Sequence, residues 1–213
     1  MARLLIIFLL SSSALLLLSN CAYNKLSKAK STNTTTLSST QIQPIIPALG
    51  AASKYKTEID VLNKHFTGIL VLKQTDSLTK HCVFVTELGM RMFDFSIKGD
   101  SIKADFVFDA LNKPSFVKIL TSNFRDILLV SSLNKKADEK HQKNKLFYWL
   151  TDGNNSIALW PGTSPYVEKL KVFSGHKKHS AINYSANYNQ VKFKQHGLIK
   201  LRIELNRILE ENK

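Results

Sequence analysis

Few residues of this chain could do chemistry: two cysteines, Cys21 and Cys82, and a histidine pair, His176 and His179. Cys82 lies in an apolar run over residues 82–85, which predicts a buried free thiol. Because Cys82 is the one cysteine in addition to Cys21, we expect no disulfide framework. The histidines lie in a lysine-rich loop with no nearby carboxylate, so we expect no metal there. The chain has no Gly-x-Ser-x-Gly motif and no phosphate loop, and we expect neither enzyme activity nor a cofactor.

Cys21 follows an amino-terminal segment that is typical of a secretory signal. Arg3 provides a positive charge, and residues 4–18 form an apolar run interrupted only by three serines. As a helix this run would span about 22 Å, which is shorter than the hydrocarbon core of a bilayer at about 30 Å. A cleaved signal peptide over residues 1–20 is therefore favoured over a transmembrane anchor.

Residues 18–21, Leu-Ser-Asn-Cys, resemble the lipobox of bacterial lipoproteins, in which an aliphatic residue and two small ones precede a cysteine. The resemblance implies that Cys21 carries acyl groups such as palmitate and begins the mature chain. Several acyl chains anchor a protein firmly, since each buried methylene contributes about 0.8 kcal/mol. Ala22 follows instead of Asp, which under the sorting rule of Gram-negative lipoproteins implies the outer membrane, on its periplasmic side. An ordinary signal peptide with a chance cysteine is the alternative.

Composition divides the rest of the chain in two. Residues 22–50 are rich in Ser, Thr, Asn and Lys, so we predict a flexible tether over residues 21–52, about 30 Å from end to end. Residues 53–213 suffice for one domain with a core. The formal net charge of +14 favours anionic partners, here lipid headgroups or acidic envelope polymers rather than nucleic acid. Scattered lysines are also typical of a solvated surface.

Periodicity predicts the elements of the domain. Apolar residues at helical spacing predict a helix over residues 53–66. Residues 91–97 and 102–108 alternate between apolar and polar, which indicates consecutive antiparallel strands with one Phe-rich face. A second helix over residues 114–128 has an apolar stripe that could cover this face. After a polar segment over 131–145, which predicts an exposed loop, further strand-like runs follow. The fold class is therefore α+β, mainly β.

The Phe-rich face and the second helix define the candidate binding site. A gap between them would be an apolar cavity, whereas a filled gap would be an ordinary core, and the pattern leaves both open. In a cavity, acyl chains would bind by partition, with about 0.8 kcal/mol for each methylene removed from water. The predicted cavity residues are Phe93, Phe95, Phe106, Phe108, Phe116, Leu120 and Phe124.

The order of these elements resembles the LolA/LolB-like family, in particular its outer-membrane lipoprotein receptors, over residues 55–209. Residues 83–89, Val-Phe-Val-Thr-Glu-Leu-Gly, are similar to the family's strand and protruding loop. Residues 93–109 are similar to the hairpin that follows, and residues 191–208 to the closing strands. The resemblance implies a half-open, curved antiparallel sheet closed by helices, with a cavity for the acyl chains of lipoproteins.

The resemblance also implies a role for Leu88. It matches the exposed loop leucine with which receptors of this family deliver lipoprotein into the membrane, and a leucine folded onto the core is the alternative. The function implied is that of a monomeric acceptor, which takes lipoproteins or lipids from a periplasmic carrier protein and delivers them to the outer membrane. The other hypothesis is an envelope structural or assembly lipoprotein that binds proteins. A filled core or an exposed apolar patch elsewhere would favour it.

Overall fold

The computed structural model of the protein describes residues 22–197 and 199–209. Helix α1 is described over residues 22–27, helix α2 covers Pro114–Ile127, and two short 3-10 helices cover Asp109–Leu111 and Ala186–Tyr188. The strands are β1 (Ser31–Thr36), β2 (Ala52–Val61), β3 (Lys64–Gln74), β4 (Thr79–Thr86), β5 (Arg91–Lys98), β6 (Ser101–Val107), β7 (Lys136–Gln142), β8 (Lys145–Asp152), β9 (Asn155–Pro161), β10 (Val167–Ser174), β11 (Lys177–Tyr184), β12 (Gln190–Gln195) and β13 (Leu201–Arg207).

The described strands form one 13-stranded sheet in the order β1-β7-β8-β9-β10-β11-β12-β13-β2-β3-β4-β5-β6. Every neighbouring pair is antiparallel, and β1 and β6 are the open edges. Tight turns make this order possible: both residues of the turns at 62–63 and 143–144 have positive φ, as a type I′ hairpin requires. The predicted mainly β, antiparallel domain is confirmed, whereas its closure by helices is not.

Helix α2 covers part of one face of the sheet, which we call the inner face. Its apolar stripe, Phe116, Leu120 and Phe124, is buried in the same core as the inward side chains of the strands. At the carboxyl end, Tyr184 Oη lies 3.2 Å from the backbone carbonyl oxygens of residues 126 and 127, to which it donates. The predicted second helix is confirmed, and its apolar stripe covers the Phe-rich face as expected.

The opposite, outer face carries a smaller apolar cluster beneath helix α1. Leu26 of this helix packs with Phe147, Trp149 and Phe173 of β8 and β10. The ring of Tyr23 meets the rings of Trp149 and Phe173 edge-on, at centroid distances of 5.6 and 5.5 Å. Helix α1 is therefore fixed against the sheet.

The predicted flexible tether is wrong for the residues that the structure describes. Strand β1 pairs with β7, and Leu37, Ile42, Ile45 and Ile46 are buried in the main core. The prediction rested on average composition, and these isolated apolar residues are too sparse to show a period. Their burial and the backbone hydrogen bonds of β1 offset the ordering entropy that would favour a flexible chain.

Cys21 and the predicted signal peptide over residues 1–20 lie outside the described residues, so lipidation stays a prediction. Within residues 22–197 and 199–209, no helix is both long and apolar enough to cross a membrane.

The predicted first helix is also wrong, because these residues form β2, a turn and the start of β3. Ser53, Tyr55, Thr57, Ile59 and Val61 are all buried, which is the period of a strand. The helical prediction counted only large apolar side chains. It therefore missed Ser53 and Thr57, which are small and polar but occupy inward positions.

The predicted exposed loop after α2 contains strand β7. Ala137 and Lys140 of this strand are buried. Lys140 Nζ donates to the carbonyl oxygen of Ser27 at 2.6 Å and lies 5.6 Å from the ring centroid of Trp149. The charged residues concealed the strand, because the stem of a lysine can bury while its charged end finds a polar partner.

Candidate functional site

The predicted cavity residues form packed contacts between the sheet and helix α2. The rings of Phe93 and Phe95 stack at 4.6 Å, and Phe124 meets them edge-on at 5.1 and 5.6 Å. Phe116 and Leu120 of α2 are buried in the same cluster. In this structure these five side chains are buried and pack together between the sheet and the helix, so an acyl chain that bound there would have to displace them.

Phe106 differs from the predicted pattern because β6 contains an irregularity in register. Phe93 pairs with Val107 and Phe95 with Ala104, so Phe106 faces outward beside Asp94. Its half-buried ring lies 4.3 Å below the guanidinium of Arg91. Strict alternation cannot reveal this shift. Val107 takes the inward position instead, and Phe108, after the end of the strand, packs against the main core.

Leu88 lies in the turn between β4 and β5, with its side chain 92% exposed. The turn is held by the backbone N–H of Glu87, which donates to the carbonyl oxygen of Thr67 at 3.2 Å. It is also held by the backbone N–H of Met90, which donates to Thr86 Oγ1 at 3.1 Å. The alternative of a leucine folded onto the core therefore does not hold, and entry into a membrane stays a prediction.

Leu88 belongs to a row of turns at one side of the sheet, which we call the upper rim. It consists of the turns β2–β3 (62–63), β4–β5 (87–90), β8–β9 (153–154), β10–β11 (175–176) and β12–β13 (196–200, without Leu198, which lies outside the described residues). Alternate turns of an antiparallel sheet lie at the same side, and these strands are neighbours in the sheet. Leu62 and Met90, at 54% and 43% exposure, are further apolar side chains on this rim.

An open pocket of about 1000 Å³ lies at the upper rim between the β2–β3 and β12–β13 turns. Of the described residues that line it, one is acidic: Asp60, whose Oδ1 lies 2.6 Å from Nδ1 of His65. That hydrogen bond raises the pKa of His65. The pocket also contains four fixed cations, all of them exposed: Lys64, Lys194, Lys200 and Arg202.

The positive charge of the pocket continues across the outer face of β11 and β10. Burial and, secondly, the nearby charges of Lys169 and Lys194 lower the pKa of Lys178. Burial and then the charges of Lys178 and Lys194 lower the pKa of His196, which lines the pocket. Nε2 of His196 is buried and has no hydrogen-bond partner in the part of the chain that the structure describes. Several positive charges therefore lie close together on this surface.

The described chain begins beside the same rim. The ring centroid of Tyr23 lies 4.6 Å from that of His176, in the β10–β11 turn. Cys21 is two residues before Tyr23 in the sequence.

A second, smaller pocket of about 330 Å³ lies between α2 and the β5–β6 turn. Arg125 of α2 forms ion pairs there with Asp100 at 3.4 Å and Asp152 at 3.0 Å, and Lys135 reaches Asp100 at 2.9 Å. These contacts tie the carboxyl end of the helix to two turns of the sheet, and we assign them to stability.

His81, Asp94 and Asp105 come together on β4, β5 and β6, with a possible ligand atom of each within 4.8 Å of the others. The two carboxylates already have cationic partners: Arg91 lies 3.6 Å from Asp94, and Lys103 lies 3.3 Å from Asp105. A metal ion would have to compete with both cations. The sequence did not indicate this group, since its members lie on three strands whose pairing is a tertiary property.

Neither a family model nor a curated protein matches the chain. Among solved structures, it is similar to a LolA superfamily protein from Nitrosomonas europaea, with a TM-score of 0.47 and 6% identity over 76% of this chain and 86% of that chain. It is also similar to a DUF1329 family protein from Desulfovibrio piger, with a TM-score of 0.38 and 9% identity over the same shares.

Proposed function

We propose that this protein is a membrane-anchored lipoprotein that accepts acyl chains, of lipids or lipoproteins, between α2 and the sheet and delivers them to the outer membrane. The observation that carries the proposal is Leu88, an apolar side chain 92% exposed on a turn whose strands, β4 and β5, line the apolar core. An exposed aliphatic side chain next to an apolar core is suited to transferring an acyl chain into a bilayer.

The contacts of α2 support an opening that begins at its amino-terminal half. Its polar contacts to the sheet are at the carboxyl-terminal half, through Asn123, Arg125 and the carbonyls that Tyr184 binds. Phe116 and Leu120, nearer the amino terminus, are held by apolar packing. An acyl chain that replaces these side chains on the inner face exchanges one apolar contact for another, so entry breaks no ion pair.

A second candidate function is supported by the filled core. Phe95 and Phe124 are fully buried, which is what a protein-binding module without a ligand cavity would show. In that case Leu88 and Met90 would contact a protein of the envelope instead of a lipid.

Native mass spectrometry of the processed chain, extracted in mild detergent, tests the proposal. Acyl groups on Cys21 are covalent and appear also in the denatured spectrum, whereas a chain held under α2 adds mass only in the native spectrum. We expect a non-covalent ligand of lipid mass. Protein that carries covalent acyl groups but no such ligand, even after incubation with an acylated peptide, would contradict acyl binding and favour the protein-binding module.

A further inference from the structure

We propose that the pocket at the upper rim binds the phosphate of anionic lipid headgroups and thereby turns this rim toward the bilayer. The inference rests on the proposed membrane attachment, but not on acyl binding under α2. It concerns a different part of the molecule, because neither α2 nor a residue of the predicted cavity lines this pocket.

The pocket is rich in positive charge. Lys64, Lys194, Lys200 and Arg202 line one pocket in which the single described carboxylate, Asp60, already contacts His65. Among the described residues, no carboxylate lies within ion-pair distance of any of these four cations. A phosphate offers the oxygen acceptors that they lack, and Arg202 can bind it in a bidentate fashion.

The surroundings of the pocket favour a lipid surface over a free anion. Leu62 lines the pocket and Leu88 and Met90 lie on the next turn of the same rim, all of them exposed apolar side chains. Apolar residues that border cations are typical of protein surfaces that lie in the interface between headgroups and acyl chains. A soluble phosphate would gain nothing from these neighbours.

The start of the described chain lies beside the upper rim. Tyr23 packs against His176 of the β10–β11 turn, so the segment that follows Cys21 is fixed beside the upper rim. Consecutive Cα atoms are about 3.8 Å apart, which leaves Cys21 at most about 8 Å of chain beyond Tyr23. Acyl chains on Cys21 would therefore hold the part of the rim around the β10–β11 turn near the membrane.

Lysine footprinting in vesicles tests the headgroup site. The processed chain is reconstituted into vesicles of phosphatidylcholine alone and of phosphatidylcholine with phosphatidylglycerol, and amine modification is followed residue by residue. Each cation near an anionic leaflet contributes about 1 kcal/mol, a factor of about five in occupancy. We expect Lys64, Lys194 and Lys200 to react about fivefold more slowly with phosphatidylglycerol present, and Lys73, Lys98 and Lys118, which are exposed away from the upper rim, to react at unchanged rates.

Two variants separate the pocket from general charge. In K194Q/K200Q/R202Q, we expect the protection of Lys64 to disappear. The matched variant K73Q/K98Q/K118Q loses the same number of charges at exposed positions outside the pocket, and in it Lys64 should remain protected. Equal rates in both vesicles, or equal loss in both variants, would overturn the proposal. Equal protection of the unmodified chain by inorganic phosphate in neutral vesicles would identify a free-anion site instead. If the processed chain did not stay bound to vesicles of phosphatidylcholine alone, the lipid anchor on Cys21 would be refuted. The headgroup site would still be tested, because the effect of phosphatidylglycerol on lysine reactivity is measured separately.

Discussion

At the scale of single residues, burial decides which ionisable groups affect stability. Asp126 lies at the carboxyl end of α2 and is buried, and this desolvation raises the pKa of its carboxyl group to about 6, although the nearby Ser131 side chain and the positive charge of Arg125 oppose the shift. An acid with a raised pKa holds its proton in the folded state where the unfolded state has lost it. Its stabilising contribution is therefore present below the unfolded pKa of 3.8 and is lost as pH rises toward 6.

Replacing Asp126 with Asn should therefore stabilise the protein at neutral pH. The shift from 3.8 to about 6 corresponds to about 3 kcal/mol, so we expect D126N to raise the free energy of unfolding at pH 7 by up to that amount. At pH 3.5 the gain should vanish, since the carboxyl of the parent is then mostly protonated in both states. Urea unfolding at the two pH values checks this, with the exposed D109N as control. A gain of equal size at pH 3.5 would contradict it.

Leu88 is a second residue whose effect can be isolated from folding. Because its side chain is 92% exposed, L88E should leave the free energy of unfolding within about 0.5 kcal/mol of the parent. We expect it to abolish transfer of a bound acylated client into vesicles, because a carboxylate resists entry into hydrocarbon.

The matched control for Leu88 is L78E, in the β3–β4 turn at the opposite side of the sheet, where Leu78 is 74% exposed. It makes the same chemical change away from the upper rim, and transfer should remain. Equal transfer by both variants would show that Leu88 has no part in delivery.

At the scale of elements, the close approach of β3 and β4 positions the turn that carries Leu88. Gly68 pairs with Thr86, the last residue of β4. A Cβ on Gly68 would lie 2.0 Å from the carbonyl oxygen of Val85 and 2.7 Å from Cα of Thr86. Both neighbours are backbone atoms, so no side chain can move to make room.

We expect G68A to destabilise the protein by more than about 2 kcal/mol, because β4 must shift away from β3. Thermal unfolding gives the size of the loss, and proteolysis near residue 88 reports whether the turn has loosened. In G162A a new Cβ would meet its nearest atoms at 3.5 Å, an ordinary contact, and stability should change little. If G68A and G162A melted alike, the close approach would not matter to stability.

At the scale of the whole molecule, residues 22–50 are part of the folded domain and do not form a flexible tether. Helix α1 packs on the outer face, and β1 forms an edge of the sheet beside β7. If Cys21 is lipidated, the anchor would therefore orient the domain as well as localise it, because few residues separate it from the packed helix.

Hydrogen exchange distinguishes a docked segment from a flexible one. We expect the amides of β1 that bond to β7, every second one in an edge strand, to exchange at least about tenfold more slowly than those of an unstructured peptide, since each must break a hydrogen bond in the sheet. The replacement of Tyr23 with Ala should speed exchange in α1 without affecting β12 and β13. If these β1 amides exchanged at the rate of a free peptide, the prediction of a flexible tether would be supported instead.

The sequence by itself determined the features that depend on local order: the alternating strands on either side of the β5–β6 turn, and helix α2. The signal and lipobox pattern is equally local, and the lipidation that it predicts stays a prediction. Each of these can be recognised within a few consecutive residues. The family resemblance pointed to Leu88, whereas the short connection between Glu87 and Gly89 left both an exposed and a folded-back leucine open, and the structure decided for exposure.

Only the tertiary structure decided which residues meet across the sheet. Ser53 and Thr57 lie on the inner face because β2 pairs between β13 and β3, and Phe106 faces outward because the register shifts between β5 and β6. The cations of the upper rim lie on β2–β3 and β12–β13, far apart in the chain and adjacent only through β13–β2 pairing. Long-range pairing brings distant segments together, so no window of sequence contains the pocket or reveals whether the phenylalanines pack or leave a cavity.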